Sequence, residues 1–370
     1  MTTITKDISI FKQRKSNLEL CRIICMALII AHHCVAHGGA LNIDIYPNRY
    51  IALLFYPGGK ICFVAFLALS TWFLSQQKFS TRRFVKTWLE VAFYSVLFTI
   101  LFVIISGQSL TFIQWMSVLF PIVGNSHGFA SAYLSLYLLT PFLFKITINI
   151  TKKQTEILLV LLFIYQILSQ IIGNLTGYFQ QLYSELLLFI FCYFLAFYLR
   201  TWPIKILAKK IFTFGVVTIV WIFLVVINYL YWKNPNNLFV CFLLNISGNE
   251  SSLVNIIGGY CLFFFFNNIK MPTIKWINIL AKPTFGILLF HDHNFFRSIV
   301  WNNLIQCATW YNSRFFIIHI LISVFAIFTV GSIIDFLRLY LLENLIMRWK
   351  YIDKICLKFD NIINGGNSSE

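Results

Sequence analysis

The chain is short of charge, and of acid above all. Only 11% of its 370 residues are charged, and 13 are Asp or Glu. A soluble domain carries about a quarter charged residues, so an ordinary globular enzyme is excluded. Disorder is excluded as well, because 59% of the residues are apolar and 18% aromatic, with forty Phe. The nine cysteines form no CxxC pair, and their number is odd. Cys21, Cys25, Cys34, Cys192, Cys241 and Cys261 lie inside apolar runs and read as buried free thiols, with no disulfide framework and no zinc site. No internal repeat is visible. The N-terminal stretch is polar and basic with no small-residue cleavage pattern behind it, so no cleavable signal peptide is expected.

What the chain has in abundance is long hydrophobic runs, with a mean hydropathy of +0.77. A membrane span needs about 20 mostly apolar residues. Ten stretches qualify: 18–37, 51–75, 88–106, 129–148, 156–173, 182–199, 211–232, 252–267, 283–300 and 314–334. The expected fold is therefore all-α, a polytopic transmembrane helix bundle of about ten spans. Residues 110–124 and 237–246 are apolar but short and are expected to be interfacial or re-entrant.

The net charge of +16 would suggest nucleic acid in a soluble protein. Here its distribution decides. With the N-terminus in the cytoplasm, 23 of the 29 Lys and Arg fall on the inner side. Only Arg49, Lys60, Lys233, Arg297 and Arg314 fall outside or at outer helix ends, and Arg22 lies within the first span. That asymmetry sets one orientation, with both termini cytoplasmic, a location in the cytoplasmic membrane, and no nucleic-acid partner. Residues 1–340 read as the membrane domain. Residues 341–370 read as an amphipathic basic tail, resting on anionic lipid of the inner leaflet.

The chemistry concentrates in the first span, which carries Glu19, Arg22, His32, His33 and His37 on one hydrophobic helix. Ionisable side chains at membrane depth cost about 2.5–3.5 kcal/mol each, and normally face a cavity or a partner. Arg22 and His33 are eleven residues apart, which puts them within ~20° of one helix face and ~16 Å apart along the axis. Glu19 precedes Arg22 by three and can pair with it. His37 follows His33 by one turn. An extended pantetheine arm is on the order of the Arg22–His33 span, so one face suits a donor with phosphates at the cytoplasmic mouth and a thioester reaching inward through a single solvated tunnel. The plainer reading is that Arg22 snorkels and the histidines bond to neighbours. Arg82, Arg83 and Lys86 sit at helical spacing in the next basic loop. They are either positive-inside residues or a phosphate-binding patch. His291, Asp292 and His293 fall within the ninth span, as an acceptor site, as an orienting partner for His33, or as a structural polar cluster. His127 is a candidate acceptor contact, and His319 reads as structural. No convergent metal ligands are apparent, so no metal is expected.

These residues carry a resemblance. The Arg22 to His33 spacing resembles the signature of the bacterial membrane acyltransferase-3 family. Four further segments resemble that family in order: Gly58 to Phe73 with Ser70, the loop Arg82-Arg83-Phe84-Val85-Lys86, Ser126 to Phe142 with Phe129, Tyr133, Tyr137 and Pro141, and Phe285-Gly286 to His291. Gly331 to Arg338 resembles the end of the family's last span. Departures occur at Thr71-Trp72, at Gly128, and at Lys86, which keeps charge but loses the guanidinium fork.

The resemblance implies acyl transfer, usually of acetyl, from cytoplasmic acetyl-CoA or another acyl-CoA to a hydroxyl of an envelope carbohydrate. It implies His33 as catalytic base, with Arg22, Arg82, Arg83 and Lys86 as donor contacts. An imidazole with a pKa near 6.5 suits removal of a hydroxyl proton. Two other classes compete. A transporter or flippase for lipid-linked sugars predicts internal repeats and paired broken helices. A binding protein would keep the fold without turnover.

Overall fold

The computed structural model of the chain describes residues 14–42, 48–122, 127–176, 185–343 and 350–364. Among these there is no strand; the fold is helical throughout. The helices are α1 (Ser16–His37), α2 (Asn48–Leu74), α3 (Thr81–Ser106), α4 (Phe112–Leu119), α5 (Gly128–Asn149), α6 (Lys152–Thr176) and α7 (Glu185–Thr201). They continue as α8 (Lys210–Lys233), α9 (Leu238–Ser247), α10 (Leu253–Asn267), α11 (Lys275–Leu280), α12 (Thr284–His291), α13 (Phe316–Arg338) and α14 (Lys350–Ile363).

Helix ends follow local chemistry. The N-cap Thr111 of α4 forms a reciprocal capping box with Gln114. Asn237 caps α9 through Phe239 N and Val240 N. Gly107 ends α3 in the left-handed conformation at φ 67°, with its N–H bonded to Val103 O.

At the centre, α1 lies along α2, and α2 packs on α10 and α7. Residues Cys25, Met26, Ile30, Ile61, Val64, Ala65 and Leu67 there are fully enclosed. The outer helices are apolar on their exposed sides: Ile104 and Ile105 on α3, Val160 and Leu161 on α6, Ile219 and Ile222 on α8, Ile322 and Phe325 on α13. Such faces need an apolar solvent, which lipid supplies.

Among the described residues six helices are long and apolar enough to cross a membrane: Ser16–His37, Asn48–Leu74, Thr81–Ser106, Gly128–Asn149, Lys210–Lys233 and Phe316–Leu342. The expected ninth span is not one helix. The α12 helix stops at His291, residues 292–296 turn, and the chain becomes helical again at 297, running into a π-helical stretch Ile299–Ile305. The physical reason is local. The His293 Nδ1 accepts the backbone N–H of both Phe295 and Phe296, which takes these donors out of a continuous helix.

Two glycine positions set the packing around the future site. A Cβ on Gly59 would lie 2.2 Å from the His32 ring, so only glycine admits that imidazole against α2. Pro57, two residues earlier, lacks the N–H that would complete the helix ladder. Nearby carbonyls instead accept side chains: Leu54 O from Trp221 Nε1 at 3.0 Å, and Tyr56 O from His32 Nδ1 at 2.7 Å. A Cβ on Gly286 would lie 2.5 Å from Asp335 Oδ1. Asp335 accepts from Arg338 at 2.8 Å, and Arg338 reaches Glu90 at 3.3 Å. The Phe285-Gly286 and Gly331 to Arg338 segments thus meet in a buried charged cluster.

The tail helix α14 docks on the start of α3. Asp360 accepts from both the backbone N and the Oγ1 of Thr81 at 2.6 Å, Asn364 donates to Phe79 O at 3.1 Å, and Asp353 pairs with Arg82. Its opposite side exposes Tyr351, Ile355 and Ile362. The π-helical turn Leu339–Glu343 runs on directly from α13, across the expected domain boundary at 340. Residues 344–349, 365–370 and Ser126 lie outside the described residues.

Candidate active site

A cavity of about 430 Å³ opens where the C-terminal half of α1 meets α2, α5, α7 and α12. Its polar lining consists of His32, His33, His37, Lys60, Glu185, Glu250, Asp292, Asn294 and Arg297. Phe63, Phe66, Phe129 and Leu288 form apolar wall.

Each group is placed by its helix. His33 and His37 stack one turn apart on α1, with ring centroids separated by 4.8 Å. Asp292, at the C-cap of α12, faces both: its Oδ1 lies 3.9 Å from His33 Nδ1 and 4.0 Å from His37 Nε2. Arg297 donates to the same Oδ1 at 3.2 Å. His33 Nδ1 is buried and makes no hydrogen bond among the described residues. Asp292 is placed by α12 itself, since its N–H still bonds to Leu288 O at 3.1 Å; the break that follows turns the chain so that Asn294 and Arg297 also reach the cavity.

Behind His33 stands His291, fully buried, with ring centroids 5.1 Å apart. Its Nδ1 bonds to Ile287 O at 2.6 Å, and its backbone carbonyl accepts Trp301 Nε1 at 3.1 Å. His291 therefore backs the site without lining it. His293 points elsewhere, onto Ser95 O at 3.2 Å and Thr99 Oγ1 at 3.4 Å. His127 packs edge-on against His293 at 4.8 Å, and its Nε2 has no hydrogen-bond partner among the described residues. It is one residue from the cavity lining at Gly128 but not part of it.

Lys60 and Glu250 form an ion pair at 2.5 Å on the cavity wall. Burial by itself would push the Glu250 carboxyl up; the Lys60 ammonium outweighs this and holds it below its usual range. Glu185 sits against Gly128, with Oε2 buried and unpartnered.

Arg22 is not in this cavity. Its Nη1 lies 3.7 Å from Glu19 Oε2, which also meets Arg14 at 3.8 Å. On the helix face between Arg22 and His33, Ile29 lines the cavity and Met26 beyond it is fully enclosed, so the cavity does not run on along that face to Arg22 as the expected single tunnel would. The Tyr133 hydroxyl lies within electrostatic reach of both Arg22 and Arg83. Arg83 is exposed and donates to Gln77, whereas Arg82 is held by Asp353. Lys86 is half-buried about one turn further along the same helix than Arg82 and Arg83.

The structure thus gathers His33, His37 and Asp292 into one place, with Glu19 and Arg22 in a second and Arg82, Arg83 and Lys86 around the start of α3. Sequence reasoning missed Lys60, Glu185, Glu250, Asn294 and Arg297. The available signal was that Lys60 and Arg297 are basic residues on the side where basic residues are scarce, and that Glu250 is one of only 13 acids.

Apolar helices around a polar, histidine-bearing pocket define a multi-pass membrane protein with a polar cavity inside its bundle. A family model described as an acyltransferase domain, the acyltransferase-3 type, matches residues 15–336, and the chain belongs to that family. No curated protein and no solved structure gives a significant match.

Proposed function

We propose that this membrane acyltransferase moves an acyl group, acetyl in the first instance, from cytoplasmic acyl-CoA to a hydroxyl of a cell-surface polysaccharide or its lipid-linked precursor. His33 is the general base. The observation that carries the reading is the His33–Asp292 approach in a polar cavity large enough for a sugar ring. Asp292 lies on the Nδ1 side. It favours the tautomer with the proton on Nδ1, which leaves the Nε2 lone pair to accept the proton of the attacking hydroxyl. The hydroxyl oxygen bonds to the thioester carbonyl carbon, the tetrahedral oxyanion collapses, and the C–S bond breaks. The thiolate of CoA leaves and takes up the proton. Cationic Lys60 and Arg297 line the same cavity and supply charge near the oxyanion. Glu185, Glu250 and Asn294 offer acceptors and donors for a polyhydroxylated substrate.

The donor's phosphates are assigned to the inner ends of α1 and α3, where Arg22, Arg82, Arg83 and Lys86 stand and basic residues dominate. The thioester reaches His33 when Met26 and Ile29 move aside, and the unbranched Met26 is suited to that. The exposed apolar side of α14, with Lys354 and Lys358, suits an anionic inner leaflet. Both termini then lie in the cytoplasm, and no part of the scheme calls on nucleic acid or a metal cofactor.

The test is transfer of label from radiolabelled acetyl-CoA to envelope glycan by the purified chain in detergent, alongside flipping of lipid-linked sugar in proteoliposomes. Covalent label in the glycan is the expected result. Flipping without acylation would support the transporter, and donor binding without turnover would support a binding protein.

A further inference from the structure

The sequence shows no metal motif, yet the fold assembles one. His33 and His37 are one helical turn apart, and Asp292 arrives from a segment more than 250 residues later. One ligand atom from each lies within 4.8 Å of the other two. Four-coordinate zinc at about 2.0–2.1 Å from its nitrogen ligands sets neighbouring ligand atoms roughly 3.4 Å apart. The trio therefore needs to contract by about 0.5–1.5 Å, within reach of side-chain rotation. His33 Nδ1 is buried without a hydrogen-bond partner among the described residues, and the cavity leaves a fourth position open. Two imidazoles and one carboxylate with an open position form a donor set that suits a zinc-class divalent ion.

We propose that His33, His37 and Asp292 form an inhibitory binding site for a divalent transition metal of the zinc class. The ion takes the Nδ1 lone pair of neutral His33. The imidazole proton is then on Nε2, so the nitrogen that accepts the hydroxyl proton has no lone pair left, and acyl transfer stops. The silencing, though not the binding, rests on the base role given to His33. Arg297 sets the affinity. Its guanidinium already bonds to Asp292 Oδ1 at 3.2 Å, competes for that oxygen, and repels a cation.

The experiment is cobalt titration of the purified full chain in detergent, with Co²⁺ as the visible probe for zinc, followed by displacement with Zn²⁺. The expected result is one equivalent of four-coordinate cobalt, with its strong visible bands. Those bands are lost in His37→Ala and in Asp292→Ala. In Arg297→Gln they persist at a dissociation constant lowered roughly tenfold, as removal of one nearby cation predicts. Because Arg297→Gln gains binding, an unfolded variant cannot mimic its result. Weak octahedral-type spectra in the wild type, or bands unchanged in His37→Ala, would overturn the site. Label transfer is then measured with Zn²⁺ and after chelation. Reversible loss is expected, and undiminished transfer at saturating zinc would overturn the inhibition. Wild type that binds cobalt yet transfers no label even after chelation would count against the acyltransfer reading while leaving the metal site standing.

Discussion

At the residue scale, the site's geometry depends on small spaces and single charges. Gly59→Ala puts a methyl group where the His32 ring lies. The expected cost is about 1–3 kcal/mol, read as a lowered thermal midpoint in detergent; an unchanged midpoint would show that the His32 contact is soft. Arg22→Ala is expected to raise KM for acyl-CoA more than KM for the acceptor, measured in the label-transfer assay. Unchanged donor affinity would remove Arg22 from the phosphate site. His33, His37 and Arg22 stood out in the sequence because an ionisable residue in an apolar span is costly; the cavity holds the two histidines and not Arg22. Lys60 was not legible as a site residue. Its partner Glu250 is 190 positions away, and a single basic residue outside reads as noise in a charge pattern. Glu185 was missed for the same reason: its neighbour Gly128 is on another helix, and no local spacing records that contact.

At the scale of elements, most long helices follow from apolar length, and the capped ends follow from Thr111, Asn237 and Gly107. The break after His291 does not. Residues 283–300 are apolar enough to read as one span, and the interruption comes from His293 bonding to the backbone two and three residues on. That turn brings Asn294 and Arg297 to the cavity beside Asp292, which α12 itself places. The tail is a second case. Its amphipathic pattern was legible, but the docking of Asp353 and Asp360 on the start of α3 is a long-range pairing that the pattern could not contain. Asp360 serves as an N-terminal acceptor for α3, so Asp360→Ala is expected to cost about 1 kcal/mol. It should also speed amide exchange across residues 350–363, measured by hydrogen–deuterium exchange. Unaltered exchange there would show that α14 is held by other contacts.

At the scale of the molecule, the enclosed α1–α2–α10 core and the exposed apolar sides of α3, α6, α8 and α13 describe a bundle solvated by lipid, with a polar pocket towards the end of α1. The asymmetry of Lys and Arg predicts that a reporter fused to the C-terminus is active only in the cytoplasm; activity outside would reverse the orientation and move the donor side with it. In that orientation His33 lies ~26 Å along α1 from Ser16, nearer the outer end of the helix than its middle, the side on which the proposed acceptor would enter. The account turns on one imidazole taking one proton. The most direct measurement is the rate of label transfer from acetyl-CoA to glycan by purified His33→Ala, beside wild type of equal thermal stability. A loss of about 10²–10⁴-fold in kcat, with KM for acetyl-CoA little changed, is the result expected of a general base. Transfer at the wild-type rate would contradict it.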